Sequence, residues 1–153
     1  MGSRRTKRLV VSDDVKSEIQ GFFDSVEPSL SSHLGLELCN PASPSFLRYA
    51  PGDFLLPHRD GGGEHGDAEF LLRNLSVVLF LNGPDDIPPF AGGELVLLPF
   101  EDFGPGSGLV IAAKAGRLVA FPPTMVHEVK PVTNGERYTV VTWFHGPGYS
   151  DVE

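Results

Sequence analysis

"VHEVKPVTNGERYTVVTWF" (Val126–Phe144) holds two extended runs on either side of an Asn-Gly pair. Both are rich in β-branched and aromatic residues, and Asn-Gly is a strong turn signal. A flat two-residue hairpin would set Val132 opposite Arg137. Arg137 would then stand about five residues, roughly 16 Å, from His127. That is too far for one small ligand to touch both. If the two residues serve one site, the runs must turn a corner at Thr133–Glu136 and enter different sheets. A jelly roll makes that corner naturally.

The rest of the chain agrees with many short strands. Candidates are Leu34–Leu38, Ser45–Ala50, Asp53–His58, Asn74–Leu81, Gly93–Leu98, Leu109–Ala112, Arg117–Phe121, Val126–Lys130 and Glu136–Phe144. Pro-Gly, Gly-Gly and Pro-Pro pairs separate them. Gly and Pro number 18 and 14 in 153 residues, which favours strands and turns over a helical bundle. One helix is expected at the start. Ser12-Asp13-Asp14 reads as its N-cap and first turn, and Val15, Ile19, Phe22, Phe23 and Val26 follow at helical spacing. Pro28 is expected to limit it. The fold class is therefore mainly β, a jelly roll with an N-terminal helix.

Residues 1–11 read as a flexible basic N-terminus, with Met1-Gly2-Ser3 fitting an expression remnant; residues 12–150 read as one domain. The net charge of −8 argues against a nucleic-acid partner. No apolar run approaches a bilayer span and no signal core follows the basic start, so no membrane partner and a cytoplasmic location are expected. Cys39 is the one cysteine, a small buried residue by expectation, and allows no internal disulfide. Composition does not set the oligomeric state, and a monomer is compatible with it.

The chemistry starts at "LLPHRDGG" (Leu55–Gly62). Residues two apart on a strand share a face, so His58 and Asp60 converge and Arg59 points away. If His127 completes the set, two imidazoles and one carboxylate occupy one face of a metal. Three positions remain open, as in non-haem Fe(II) oxygenases. Arg137, Thr139, Val141 and Trp143 share one face of the last strand. An arginine there can hold a carboxylate through two parallel hydrogen bonds.

These stretches resemble a known family. "RYAPGDFLLPHRD", "LSVVLFLN", "GGELVLLPF", "GRLVAFPPTMVHEVKPV" and "ERYTVVTWFH", from about Arg48 to Phe144, are similar to the prolyl-4-hydroxylase-type members of the Fe(II)/2-oxoglutarate dioxygenase superfamily. The resemblance implies a double-stranded β-helix, a form of the jelly roll. It implies that His58, Asp60 and His127 bind Fe(II) and that Arg137 meets the distal carboxylate of 2-oxoglutarate. Tyr49 matches a cosubstrate-contacting tyrosine. Ser76, Val78 and Phe80, with Leu95 opposite, would line the same pocket. Leu55 and Phe80 stand where relatives often carry tyrosines, and Thr139 can supply the missing hydroxyl. Arg73 and Trp143 are candidate substrate contacts.

The implied reaction consumes O₂ and 2-oxoglutarate, releases succinate and CO₂, and hydroxylates an unactivated C–H, with ascorbate as reductant. The favoured substrate is a prolyl residue in a protein or peptide; a free amino acid or small metabolite is the alternative. Asp60 argues against a halogenase, and Arg137 with Tyr49 against a cupin-type enzyme without 2-oxoglutarate. A non-catalytic jelly-roll binding module is the rival from another class. His65 is expected in a mobile lid over Gly61–Arg73, His33 and His145 at the surface, and Pro122-Pro123 in a stiff turn before the metal strand.

Overall fold

A computed structural model describes residues 2–39, 41–61, 72–98 and 108–147. Two five-stranded antiparallel sheets face each other. The first has the order β1 (Arg4–Arg5), β4 (Phe54–His58), β10 (Val126–Val129), β7 (Leu95–Leu98), β8 (Leu109–Ile111). The second has the order β2 (Lys7–Leu9), β3 (Ser45–Tyr49), β12 (Arg137–His145), β5 (Arg73–Phe80), β9 (Leu118–Phe121). A two-stranded ribbon of β6 (Ala91–Gly92) and β11 (Val132–Asn134) forms one corner. This is the jelly roll. β10 and β12 lie in different sheets, because the chain pairs with β6 between them instead of closing a flat hairpin.

Helix α1 (Asp13–Leu34) covers the outer face of the second sheet. The Ser12 hydroxyl accepts from the Val15 N–H, and Asp13 and Asp14 sit in the positive first turn. Phe23 is fully buried against Phe46, Leu75, Val77, Leu79, Val140 and Phe144. Pro28 does not end the helix as expected. It lies on the exposed face, where water can take the Asp24 carbonyl that lacks a helical donor. The stop is Gly35, at φ 64°, whose N–H bonds to the Ser31 carbonyl. The expected strand over Leu34–Leu38 is therefore a helix end and its exit. Beyond it, Cys39 bridges to the sheet at His145.

β5 shows how one apolar run serves two layers. Leu75, Val77 and Leu79 face the helix, while Ser76, Val78 and Phe80 face between the sheets, as period two requires. The inner layer also holds Tyr49, Leu95, Leu97, Phe121, Val129 and Val132.

The N-terminus departs from expectation. It is not a frayed end: Arg4–Arg5 pairs with Leu55 and Phe54 of the first sheet, and Lys7–Leu9 pairs with Arg48, Leu47 and Phe46 of the second. Backbone hydrogen bonding at two open sheet edges holds it. Residues 62–71 of the expected lid, His65 among them, lie outside the described residues. No helix among the described residues is long and apolar enough to cross a membrane.

Candidate active site

His58 ends β4, and His127 lies directly across from it on β10. Their rings are 4.2 Å apart between centroids. Asp60 follows two residues beyond the strand's end. Its backbone N–H and that of Gly61 both bond to the Pro123 carbonyl, at 2.9 and 3.1 Å. The Pro122-Pro123 turn thus sets where the carboxylate points. The three side chains offer ligand atoms within 4.8 Å of one another, the one such cluster among the described residues.

Both imidazoles are oriented in the same way. His58 Nδ1 bonds to the Leu56 carbonyl at 2.9 Å, and His127 Nδ1 to the Met125 carbonyl at 3.0 Å. A carbonyl only accepts, so each Nδ1 carries the proton, and Nε2 is left to face Asp60. The Nε2 atoms lie 3.1 and 3.4 Å from the Asp60 oxygens. Two ring lone pairs facing a carboxylate need positive charge between them. A proton on each ring meets that need, and one divalent cation meets it for both rings together. The donor set therefore fits a metal.

The electrostatics agree. Burial opposes the charge on Asp60, but bonds from His127, His58 and the Ser76 hydroxyl outweigh it and hold the carboxyl well below the usual range. Burial likewise opposes charge on His58, yet Asp60 and the Leu56 carbonyl push that imidazole up.

The three residues open into a cavity of about 540 Å³ between the sheets. Tyr49, Ser76, Val78, Leu95, Arg137 and Thr139 line it, as do Arg73 and Trp143. Phe80 does not: it is fully buried behind Arg137, whose guanidinium stands 5.4 Å from the ring centre. Ser76 does more than line the wall. Its hydroxyl donates to Asp60 Oδ2 at 2.8 Å and ties that carboxylate to the opposite sheet. Arg73 Nη1 donates to the Asp60 carbonyl at 2.9 Å, and its guanidinium stacks on Trp143 at 3.9 Å.

Arg137 is 1% exposed. Its Nη1 reaches Thr139 Oγ1 at 3.5 Å, Tyr49 lies 4.8 Å beneath it, and Nε has no partner among the described residues. No carboxylate pairs with it there. Burial pushes the guanidinium down to about 10, opposed by Tyr49, so it stays charged at neutral pH. A buried charge without a counter-ion is costly, and this one is arranged for an anion. Burial in turn raises the Tyr49 phenol, against the pull of Arg137 and a bond to Thr6.

Sequence reasoning missed Gly93 and the N-terminal arm. Gly93 sits at φ 65°, and a Cβ there would meet Val132 Cγ2 at 2.8 Å and Arg137 Cδ at 3.0 Å. The missing side chain is the space Arg137 occupies. His145, expected at the surface, is fully buried, because the Cys39 segment pairs over it. Cys39 is half-buried, and its thiol donates to the Gly146 carbonyl at 3.3 Å.

A jelly roll with two imidazoles and a carboxylate beside a buried arginine defines a class of oxygenase. The family model of the 2OG-Fe(II) oxygenase superfamily matches residues 44–145, and the chain belongs to that superfamily. Membership implies Fe(II), 2-oxoglutarate and O₂. Among curated relatives, a PKHD-type hydroxylase of Psychrobacter sp. (strain PRwf-1) is 38% identical over 110 residues, covering 71% of this chain and 39% of the relative. The chain thus spans about two fifths of that relative's length. Among solved structures, a prolyl-4-hydroxylase of Pseudomonas putida is similar with TM-score 0.72 and 25% identity, covering 95% of this chain and 74% of that one. A prolyl hydroxylase from Trichoplax adhaerens, in complex with a hypoxia inducible factor peptide fragment, has TM-score 0.70 and 22% identity over 93% of this chain and 63% of its own.

Proposed function

We propose that the chain hydroxylates an unactivated C–H bond of a prolyl residue in a protein or peptide, with 2-oxoglutarate and O₂ consumed and succinate and CO₂ released. The observation that carries this reading is Arg137: a buried guanidinium with no carboxylate partner among the described residues, facing the cavity that holds His58, Asp60 and His127. A dicarboxylate cosubstrate answers that charge.

In this reading His58, Asp60 and His127 hold Fe(II), which when bound supplies O₂ activation and the oxidation of the C–H bond. Arg137 takes the distal carboxylate of 2-oxoglutarate, with Thr139 and Tyr49 adding hydroxyls. Val78 and Leu95 give an apolar wall that keeps water from the cosubstrate. Ser76 orients Asp60. Arg73 and Trp143 flank the substrate space. Ascorbate keeps the metal reduced. The peptide complex of the Trichoplax relative supports a peptide rather than a free amino acid.

The test is incubation of the Fe(II) protein with 2-oxoglutarate, ascorbate and prolyl peptides, followed by mass spectrometry and succinate assay. A peptide that gains one oxygen at proline, in step with succinate, supports the reading. Oxidation of free amino acids alone would move the substrate to the small-molecule class. No succinate under any condition would leave a binding module.

A further inference from the structure

The N-terminal arm crosses from one sheet to the other at the cavity. The Ser3 carbonyl accepts from the Leu56 N–H at 2.9 Å, and Arg4–Arg5 extends the first sheet beside β4. Thr6 makes the crossing, its hydroxyl donating to the Arg48 carbonyl at 2.8 Å. Lys7–Leu9 then extends the second sheet beside β3. Alternation sorts the side chains. Arg5 turns outward to Asp53 at 3.0 Å, and Leu9 packs toward the helix layer. Arg4 and Arg8 line the cavity.

Five of the chain's eight arginines line this one cavity: Arg4, Arg8, Arg59, Arg73 and Arg137. Among the described residues, Asp60 is the one carboxylate in its wall. In the reading above Asp60 is a metal ligand and Arg137 is answered by the cosubstrate. Arg59 bonds to the Thr124 carbonyl, and Arg73 to Asp60 and Trp143. Arg4 and Arg8 are in no ion pair among the described residues. The whole chain carries −8, so its general field repels anions. A basic rim at one opening reverses that field locally and concentrates negative partners there.

We infer that Arg4 and Arg8 select the substrate by charge: the peptide presents an acidic side chain close to the residue that is oxidised. This rests on the prolyl-hydroxylase reading above. The arm is then a specificity element, and the anion it reads is distinct from the cosubstrate carboxylate held by Arg137.

Matched prolyl peptides with Glu, Gln or Lys beside the proline compete for the full chain loaded with Fe(II) and 2-oxoglutarate. Two exposed guanidinium–carboxylate pairs predict a preference of about tenfold in kcat/KM for Glu over Gln. The preference falls toward parity at about 0.5 M salt. Arg4→Gln with Arg8→Gln brings the ratio toward one, and Arg4→Glu with Arg8→Glu turns it in favour of Lys. Equal use of Glu and Gln peptides by the parent, or a ratio that neither double variant moves, overturns the inference while leaving prolyl hydroxylation standing. If no prolyl peptide gains oxygen, that reading fails first. Charge selection is then measured by the fluorescence of Trp143, the one tryptophan, on the metal-loaded protein. Acidic peptides without proline that bind better than their amide twins, and lose that advantage in the Gln variant, support it. Free dicarboxylic acids that bind this way while the acidic peptides do not overturn the peptide.

Discussion

Ser76 on β5 donates its hydroxyl to Asp60 Oδ2 at 2.8 Å, so the second sheet orients a carboxylate that the first sheet carries. Outer partners of this kind commonly contribute about 10–100-fold to metal affinity. Ser76→Ala should therefore weaken Mn(II) or Fe(II) binding by at least about tenfold while the fold persists, measured by metal titration and a thermal melt. Unchanged metal affinity would show that Asp60 needs no help from β5.

His58→Ala, Asp60→Ala and His127→Ala should each abolish metal binding and turnover. His145→Ala should keep the metal but lower Tm by roughly 5 °C or more, because a fully buried ring leaves a hole. Metal analysis and melting of the four variants separate the two roles.

Gly93→Ala should act on the cosubstrate and spare the metal. The new methyl strains a positive φ and presses on Val132 and Arg137. We expect at least about a tenfold rise in the KM for 2-oxoglutarate, the order expected for a loss of roughly 1.4 kcal/mol, with metal content unchanged. A KM like the parent's would mean that Arg137 relaxes without loss.

Arg137 sets stability against function. Arg137→Lys should bind 2-oxoglutarate more weakly but work at high cosubstrate. Arg137→Ala leaves a carboxylate unpaired, a loss of about 3–5 kcal/mol and hence a hundredfold or more in affinity. Anaerobic titration of the Fe(II) protein, followed by its charge-transfer absorption, reads both. Without ligand the sign reverses. Burial holds the folded guanidinium down to about 10, below its ordinary value. Between those values the unfolded chain binds the extra proton, so this group's contribution to stability rises with pH and is lost as pH falls through 10. Arg137→Met should thus melt no lower than the ligand-free parent at pH 8, and its advantage should shrink above pH 10. It should show no rise in Tm with 2-oxoglutarate.

Much of this was legible in the chain. His58 and Asp60 were readable as a pair from their i, i+2 spacing, although Asp60 stands past the end of β4 and the Pro123 carbonyl sets it. The change of sheet, expected at Thr133–Glu136, was readable because a flat hairpin could not join His127 to Arg137, and it runs through the β11–β6 ribbon. Other features leave no periodic trace. Ser76 meets Asp60 across two sheets, a contact set by packing alone. β1 and β2 have two and three residues, too few to show alternation, and their basic side chains imitate a solvated end. His145 lies within an ordinary strand pattern, and only the Cys39 crossing buries it. Pro28 signals a break, which an exposed face tolerates.

The arm across the cavity has a practical side. Ser3 is part of the cavity wall, so a purification handle, dye or resin attached just ahead of it emerges at the opening. A preparation held by its first residues and one held elsewhere would differ in substrate access though every reacting group is the same. Assayed side by side, they would read as two enzymes.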